Sequence, residues 1–198
     1  MLNKDDCLQQ IDELLSLDNQ IWLFGAGISF KAGIPLMYPL TERIISLAEK
    51  DGDKLYAEIL QKIKDGLAQD AHIEHMLSHL ADYAAIAERT EAKKVKILDE
   101  DVCLEDLQKV HNQILDWIAE TIRWGYQPEA KKVKEVIGTS DAPKVTIDEH
   151  RAFIDALFNR THAGVAKRRV PISFFTTNYD TLLEDSLALE LIPYWDGF

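Results

Sequence analysis

The sequence predicts an α/β fold with a parallel sheet, and three observations predict it. Two apolar runs, 21–24 and 170–177, have the length of buried strands, and helical periodicity stands before, between and after them. A glycine turn closes the first run, and an amide and a carboxylate close the second. Strands alternating with helices imply a parallel sheet, and ligands of such sheets bind beyond the carboxyl ends of the strands. Both candidate motifs sit at those ends.

In chain order, Leu8, Ile11, Leu14 and Leu15 recur at three- and four-residue spacing, which makes 5–17 an amphipathic helix that Asn3 or Asp5 can cap. Ile21 to Phe24 reads as a buried strand that the glycines of "FGAGIS" break at once. After Pro35 and Pro39, "LTERIISLAEK" restores helical periodicity, with Thr41 placed to cap it and Glu42 in its first turn. Residues 54–126 carry no strand signal. Stretches such as "AHIEHMLSHLADYAAIAE" and "LEDLQKVHNQILDWIAETIRW" are amphipathic helices, so this stretch reads as a large helical insertion within one domain spanning 1–198. Residues 127–148, rich in Lys, Pro, Gly and Thr, read as a connecting loop. A helix over 148–158, a second buried strand from Val170 to Thr177 and a helix over 181–189 follow, and Ile192 to Trp195 would begin a third strand. No internal repeat or low-complexity tract is present.

Composition excludes several functions. Apolar residues make up 46% of the 198, enough for a genuine core. No run approaches the roughly 18 apolar residues of a membrane span, and the acidic, amphipathic N-terminus is unlike a signal peptide. The expectation is a cytoplasmic protein with no membrane contact. Cys7 and Cys103 stand far apart in helical-looking segments and read as buried thiols, forming neither a disulfide framework nor a zinc site. A net charge of −12 argues against direct nucleic-acid binding. The small basic clusters Lys93, Lys94 and Lys96, Lys131, Lys132 and Lys134, and Lys167, Arg168 and Arg169 stand among acidic residues and read as solvated faces or loops. His75 and His79 have the spacing of paired zinc ligands, but Met76 stands where His-Glu-x-x-His needs Glu, so these and His72 read as surface or helix-packing histidines and no metal is expected. Trp117 and Trp124 read as core or interface anchors.

The first motif is "FGAGISFKAGIP", Phe24 to Pro35. Gly25 and Gly27 let the backbone turn sharply and approach a pyrophosphate, with the N–H groups of the next helix available to the anion. It departs from the dinucleotide fingerprint because Phe30 stands where the third glycine belongs. It lacks the Gly-Lys-Ser/Thr of a P-loop, and Lys31 occupies the last glycine of a nucleophile elbow. The second motif is "FFTTNYD", Phe174 to Asp180, which presents Asn178 and Asp180 at the end of a strand. An Asn can hold a ribose hydroxyl or position a water, and an Asp can receive a carboxamide. Each also has a structural alternative: a plain turn for the first, a cap on the following helix for the second.

Together, "GAGIS" with "GIP" and, downstream, "TTNYD" resemble the Sir2 superfamily, and the form with Thr177 and Tyr179 is most similar to the Sir2-like NAD hydrolases of bacterial antiphage defence. The resemblance covers both ends of the chain and the helical middle only loosely. It implies a Rossmann-like, Sir2-like parallel sheet. It implies that Gly25, Ala26, Gly27 and Ser29, with Thr177, bind NAD, that Asn178 contacts the nicotinamide ribose and orients the attacking water, and that Asp180 holds the carboxamide. NAD is then the substrate, cleaved to nicotinamide and ADP-ribose. Nicotinamide leaves as a neutral group, so positioning and stabilisation of an oxocarbenium-like ribose carry the chemistry. A homo-oligomer, and a defence partner such as a helicase or sensor, belong to the same expectation.

The sequence departs from the family in two ways. The family's catalytic His follows the Asn-x-Asp motif, whereas His150 and His162 both precede it, and the role is transferred to neither. With two or three core strands the expected sheet is incomplete, so the residues read as the N-terminal portion of a longer protein whose isolated chain is weak or inactive. Leu36, Met37 and Tyr38 replace the Asp-Phe-Arg that follows Gly-Ile-Pro in sirtuins, which disfavours a protein deacylase. A non-catalytic module sensing NAD or ADP-ribose is the other alternative.

Overall fold

The computed structural model describes residues 3–15, 20–129, 134–159 and 171–197. Its elements run α1 (Lys4–Leu15), β1 (Ile21–Phe24), a single 3-10 turn (Ala26–Ser29), α2 (Met37–Lys50), α3 (Lys54–Asp65), α4 (Ile73–Arg89), β2 (Lys94–Ile97), β3 (Glu100–Cys103), α5 (Leu104–Trp124), β4 (Tyr126–Gln127), β5 (Val136–Ile137), α6 (Asp148–Asn159), β6 (Ser173–Thr176) and α7 (Leu182–Leu189). The protein is mixed α/β. The chain divides into two units, residues 1–33 with 146–198, and residues 34–145.

In the first unit β1 and β6 pair in parallel, with Ile21 opposite Ser173 and Phe24 opposite Thr176. Side chains alternate across a strand, so Trp22, Phe24 and Phe174 turn to one face. There they meet Phe153 and Ile154 of α6 and Leu183 and Leu187 of α7. Phe153 sets its ring edge-on to both Trp22, at 5.1 Å, and Phe24, at 5.4 Å. The two runs do not form strands buried on both faces: Ile21 and Leu23 are 75% and 74% exposed and Phe175 is 57% exposed. A continuous apolar run is what a doubly covered strand requires, but among the described residues α6 and α7 cover one face alone. The extended run assigned to a third strand, from Ile192 to Trp195, forms no ladder; Ile192 instead packs on the α6 and α7 cluster. Asn3, one of the two cap candidates for α1, accepts the Asp5 N–H at 3.4 Å, while Leu8, Ile11 and Leu14 lie exposed along that helix.

The second unit is helical, with a core running from Leu40 and Ile44 of α2 through Ile59 and Ile63 of α3, Ile73, Met76 and Leu80 of α4 to Leu107, Ile114 and Trp117 of α5. Trp117 is a core residue, edge-on to Tyr56 at 5.4 Å. Trp124, half-buried, carries Arg123 over its ring. The unit holds a hairpin where no strand is expected, β2 paired antiparallel with β3. Its strands are four residues long, and its turn bends through Leu98 at φ 53° in place of the usual Gly or Asn. β4 and β5 form a second short antiparallel pair, with β5 inside the stretch expected to be a connecting loop.

Thr41 does not cap α2. That helix starts at Met37, with Pro39 in its first turn, where a missing N–H costs nothing. Thr41 sits one turn inside, donating to the Met37 carbonyl and accepting the Ile73 N–H, so it serves the start of α4. Neither cysteine is a buried thiol: Cys7 is exposed on α1, and Cys103 is half-buried at the head of α5, where its sulfur accepts the Asp106 N–H. Lys93, Lys94, Lys96 and Lys134 are exposed. Lys131, Lys132, His162, Lys167, Arg168, Arg169 and Val170 lie outside the described residues. His75 accepts the His72 N–H at the start of α4, and His79 packs edge-on to Tyr83. No helix among the described residues is long and apolar enough to cross a membrane.

Candidate functional site

The candidate residues of both motifs belong to the first unit, where the parallel pairing of β1 with β6 sets the glycine turn beside the "TTNYD" loop. The ladder continues past the strand ends, with the Thr177 N–H donating to the Phe24 carbonyl at 3.1 Å. Gly25 follows in extended conformation at φ −120°, and the chain then winds through the 3-10 turn. The helix next to the glycines is therefore this one turn, not α2, and the N–H groups of Ala26 and Gly27 have no acceptor within it.

Ser29 closes the turn and is fully buried. Its hydroxyl donates to Asp180 Oδ2 at 2.8 Å and accepts from Asn178 Nδ2 at 3.1 Å. The two motifs thus converge on one hydroxyl. Asp180 is shared: its other oxygen, Oδ1, accepts the Leu182 N–H at 3.2 Å and caps α7. Cap and site residue are therefore not exclusive readings of Asp180. Asn178 is held from behind, its N–H donating to Thr176 Oγ1 at 3.0 Å, while its buried Oδ1 has no partner among the described residues. Thr177 lies on the rim, exposed, its hydroxyl 4.0 Å from where a side chain on Gly25 would begin.

The glycines divide into two kinds. Gly33 stands at φ 91°, where only glycine is unstrained, at the exit from the unit. Gly27 has neither a left-handed backbone nor any neighbour within 4 Å of a Cβ built upon it. Gly25 likewise has an ordinary φ and only the distant Thr177 hydroxyl before it. Nothing among the described residues requires glycine at 25 or 27.

The sequence reading set His150 aside because it precedes the second motif, yet the structure brings it to the site. It is 2% exposed, in the first turn of α6, with Nε2 3.5 Å from Ser29 Oγ. Burial pushes its imidazole below the ordinary value, against the pull of the Asp180, Glu149 and Glu184 carboxylates. The signal was periodicity: His150, Ile154 and Leu157 lie at helical spacing on the buried stripe of α6, so a histidine there faces inward. No cluster of three or more His, Cys, Asp or Glu suited to a metal occurs among the described residues. Compared with known proteins, the chain matches no family model and no curated protein.

Proposed function

We propose that this is a nucleotide site of the Sir2 type, on a Rossmann-like sheet whose centre is β1 and β6. More particularly, we propose that the protein is an NAD hydrolase that releases nicotinamide and ADP-ribose as an effector of antiphage defence, acting as an oligomer with a helicase or sensor partner. One observation carries the reading: Ser29 of the first motif is bonded to both Asn178 and Asp180 of the second, across most of the sequence. Motifs that served only as a turn and a cap would have no reason to share a buried hydroxyl.

Three features support it. Gly25 and Gly27 leave open space beside N–H groups, as a pyrophosphate requires. The buried Asn178 Oδ1 calls for a donor, which a ribose hydroxyl or an attacking water supplies. The apolar face of Ile21, Leu23 and Phe175, exposed among the described residues, suits a sheet of the class that is covered on both sides. In this reading Asn178 orients the water and the nicotinamide ribose, Asp180 receives the carboxamide, and Gly25, Ala26, Gly27, Ser29 and Thr177 line the dinucleotide.

The test is incubation with NAD in the absence of any acyl peptide, with nicotinamide and ADP-ribose quantified by chromatography. Release is expected, and Asn178→Ala is expected to lower it about 100-fold, the scale on which positioned polar groups act in such sites. Binding of ADP-ribose without release overturns the hydrolase and leaves a sensing module. Consumption of NAD that depends on an acylated peptide leaves a deacylase.

A further inference from the structure

Ser29 has one hydroxyl proton and two lone pairs. The proton goes to Asp180 at 2.8 Å and one lone pair takes the Asn178 amide at 3.1 Å, so what faces His150 Nε2 at 3.5 Å is the second lone pair. An unprotonated Nε2 would set lone pair against lone pair or draw the Ser29 proton away from Asp180. A proton on Nε2 is the arrangement that satisfies this lone pair. His150 Nδ1 is then an acceptor, and like Asn178 Oδ1 it is buried with no partner among the described residues.

We propose that His150 is a positioning residue, a neutral imidazole protonated on Nε2 that occupies the last lone pair of Ser29. It thereby holds Asn178 with its amide nitrogen inward and its Oδ1 toward the ligand. It touches neither the reacting bond nor the water; it acts through Ser29. Neutrality comes from burial on α6, which outweighs the pull toward the imidazolium of Asp180 in the loop before α7, Glu149 on its own helix and Glu184 on α7. The functional arm of the proposal rests on the NAD reading, and the chemical arm stands without it.

The chemical arm is long-range proton–nitrogen NMR on the whole chain labelled with nitrogen-15 histidine at pH 7.5. The His150 signals are identified by their loss in His150→Gln. The Nε2–H tautomer is expected; the Nδ1–H tautomer or an imidazolium overturns the proposal. The functional arm measures ADP-ribose affinity calorimetrically for His150→Phe and His150→Gln, each with and without Ser29→Ala. The Phe variant, which has no N–H, is expected to bind about tenfold more weakly, the scale of one lost hydrogen bond in a buried network. The Gln variant, whose amide reaches the place of Nε2, is expected to stay within about threefold. With Ser29→Ala present, the Phe change should cost nothing further. An undiminished loss in that background, or a Gln variant as weak as Phe with unchanged melting, overturns positioning through Ser29. Failure of the unaltered protein to bind ADP-ribose counts against the NAD reading alone, and the tautomer then decides the role of His150.

Discussion

At the scale of single residues, Gly27 and Gly138 make opposite predictions. A Cβ on Gly27 meets nothing within 4 Å, whereas one on Gly138 would lie 1.7 Å from the Trp124 carbonyl oxygen. Gly27→Ala should therefore leave the thermal midpoint unchanged or slightly raised, by up to about 1 kcal/mol through the unfolded chain, while ADP-ribose affinity falls as the methyl enters the phosphate space. Gly138→Ala should cost more than about 4 kcal/mol, the range reserved for severe steric conflict. Calorimetry on both variants checks the pair; a Gly27→Ala protein that binds normally would remove the phosphate role of the loop. His150 adds a pH dependence. Its folded pKa lies below its ordinary value of 6.5, so between the two the unfolded chain binds more protons and stability rises with pH. The contribution is complete above 6.5 and is lost as pH falls below it. Thermal midpoints at pH 5 and pH 7.5 should therefore differ less in His150→Gln than in the unaltered protein.

At the scale of elements, the hairpin β2–β3 is held by a turn that its own residues disfavour. Leu98 adopts φ 53° and is exposed; an L side chain pays roughly 1–2 kcal/mol there, and glycine's extra chain entropy returns part of that. Leu98→Gly should raise the stability of the helical unit by about 0.5–1 kcal/mol in denaturant titration. The exposed pair of Arg151 with Glu190 ties α6 to α7 through two N–H bonds to one carboxylate oxygen. Exposed pairs are worth little, so the packing of Ile154, Leu183 and Leu187 is what holds those helices to the sheet. The same elements show where legibility stopped. Helices α4 and α5 were readable because a long apolar stripe at helical period is redundant, whereas β2 and β3 are four residues each, KVKI and EDVC, too short for a periodic pattern to stand out, and Leu98 and Asp99 form a turn without glycine.

At the scale of the whole molecule, the two units have separate hydrophobic clusters. Residues 34–145 are contiguous in sequence and contain eighteen buried core residues in one cluster. A polypeptide of those residues should fold by itself and melt in a single cooperative transition. A broad, non-cooperative melt would mean that its core needs the other unit. The first unit is made of two stretches joined by the sheet, by α6 against the 3-10 turn and by the Thr146 N–H on the Ala32 carbonyl, which ties the point of exit to the point of return.

The sequence alone determined the strand-turn and strand-loop motifs, the helical middle and Asn178 and Asp180 as candidates, because glycine spacing, apolar period and polar residues at strand ends are local properties of the chain; Ser29 entered only through the resemblance of the motifs. Only the tertiary structure decided that Ser29 joins the two motifs, that Asp180 serves site and cap at once, that the described residues cover one face of the sheet alone and that His150 stands behind the hydroxyl. Those facts depend on parallel pairing between distant segments, and a parallel ladder leaves no mark in the residues that it brings together beyond their being apolar.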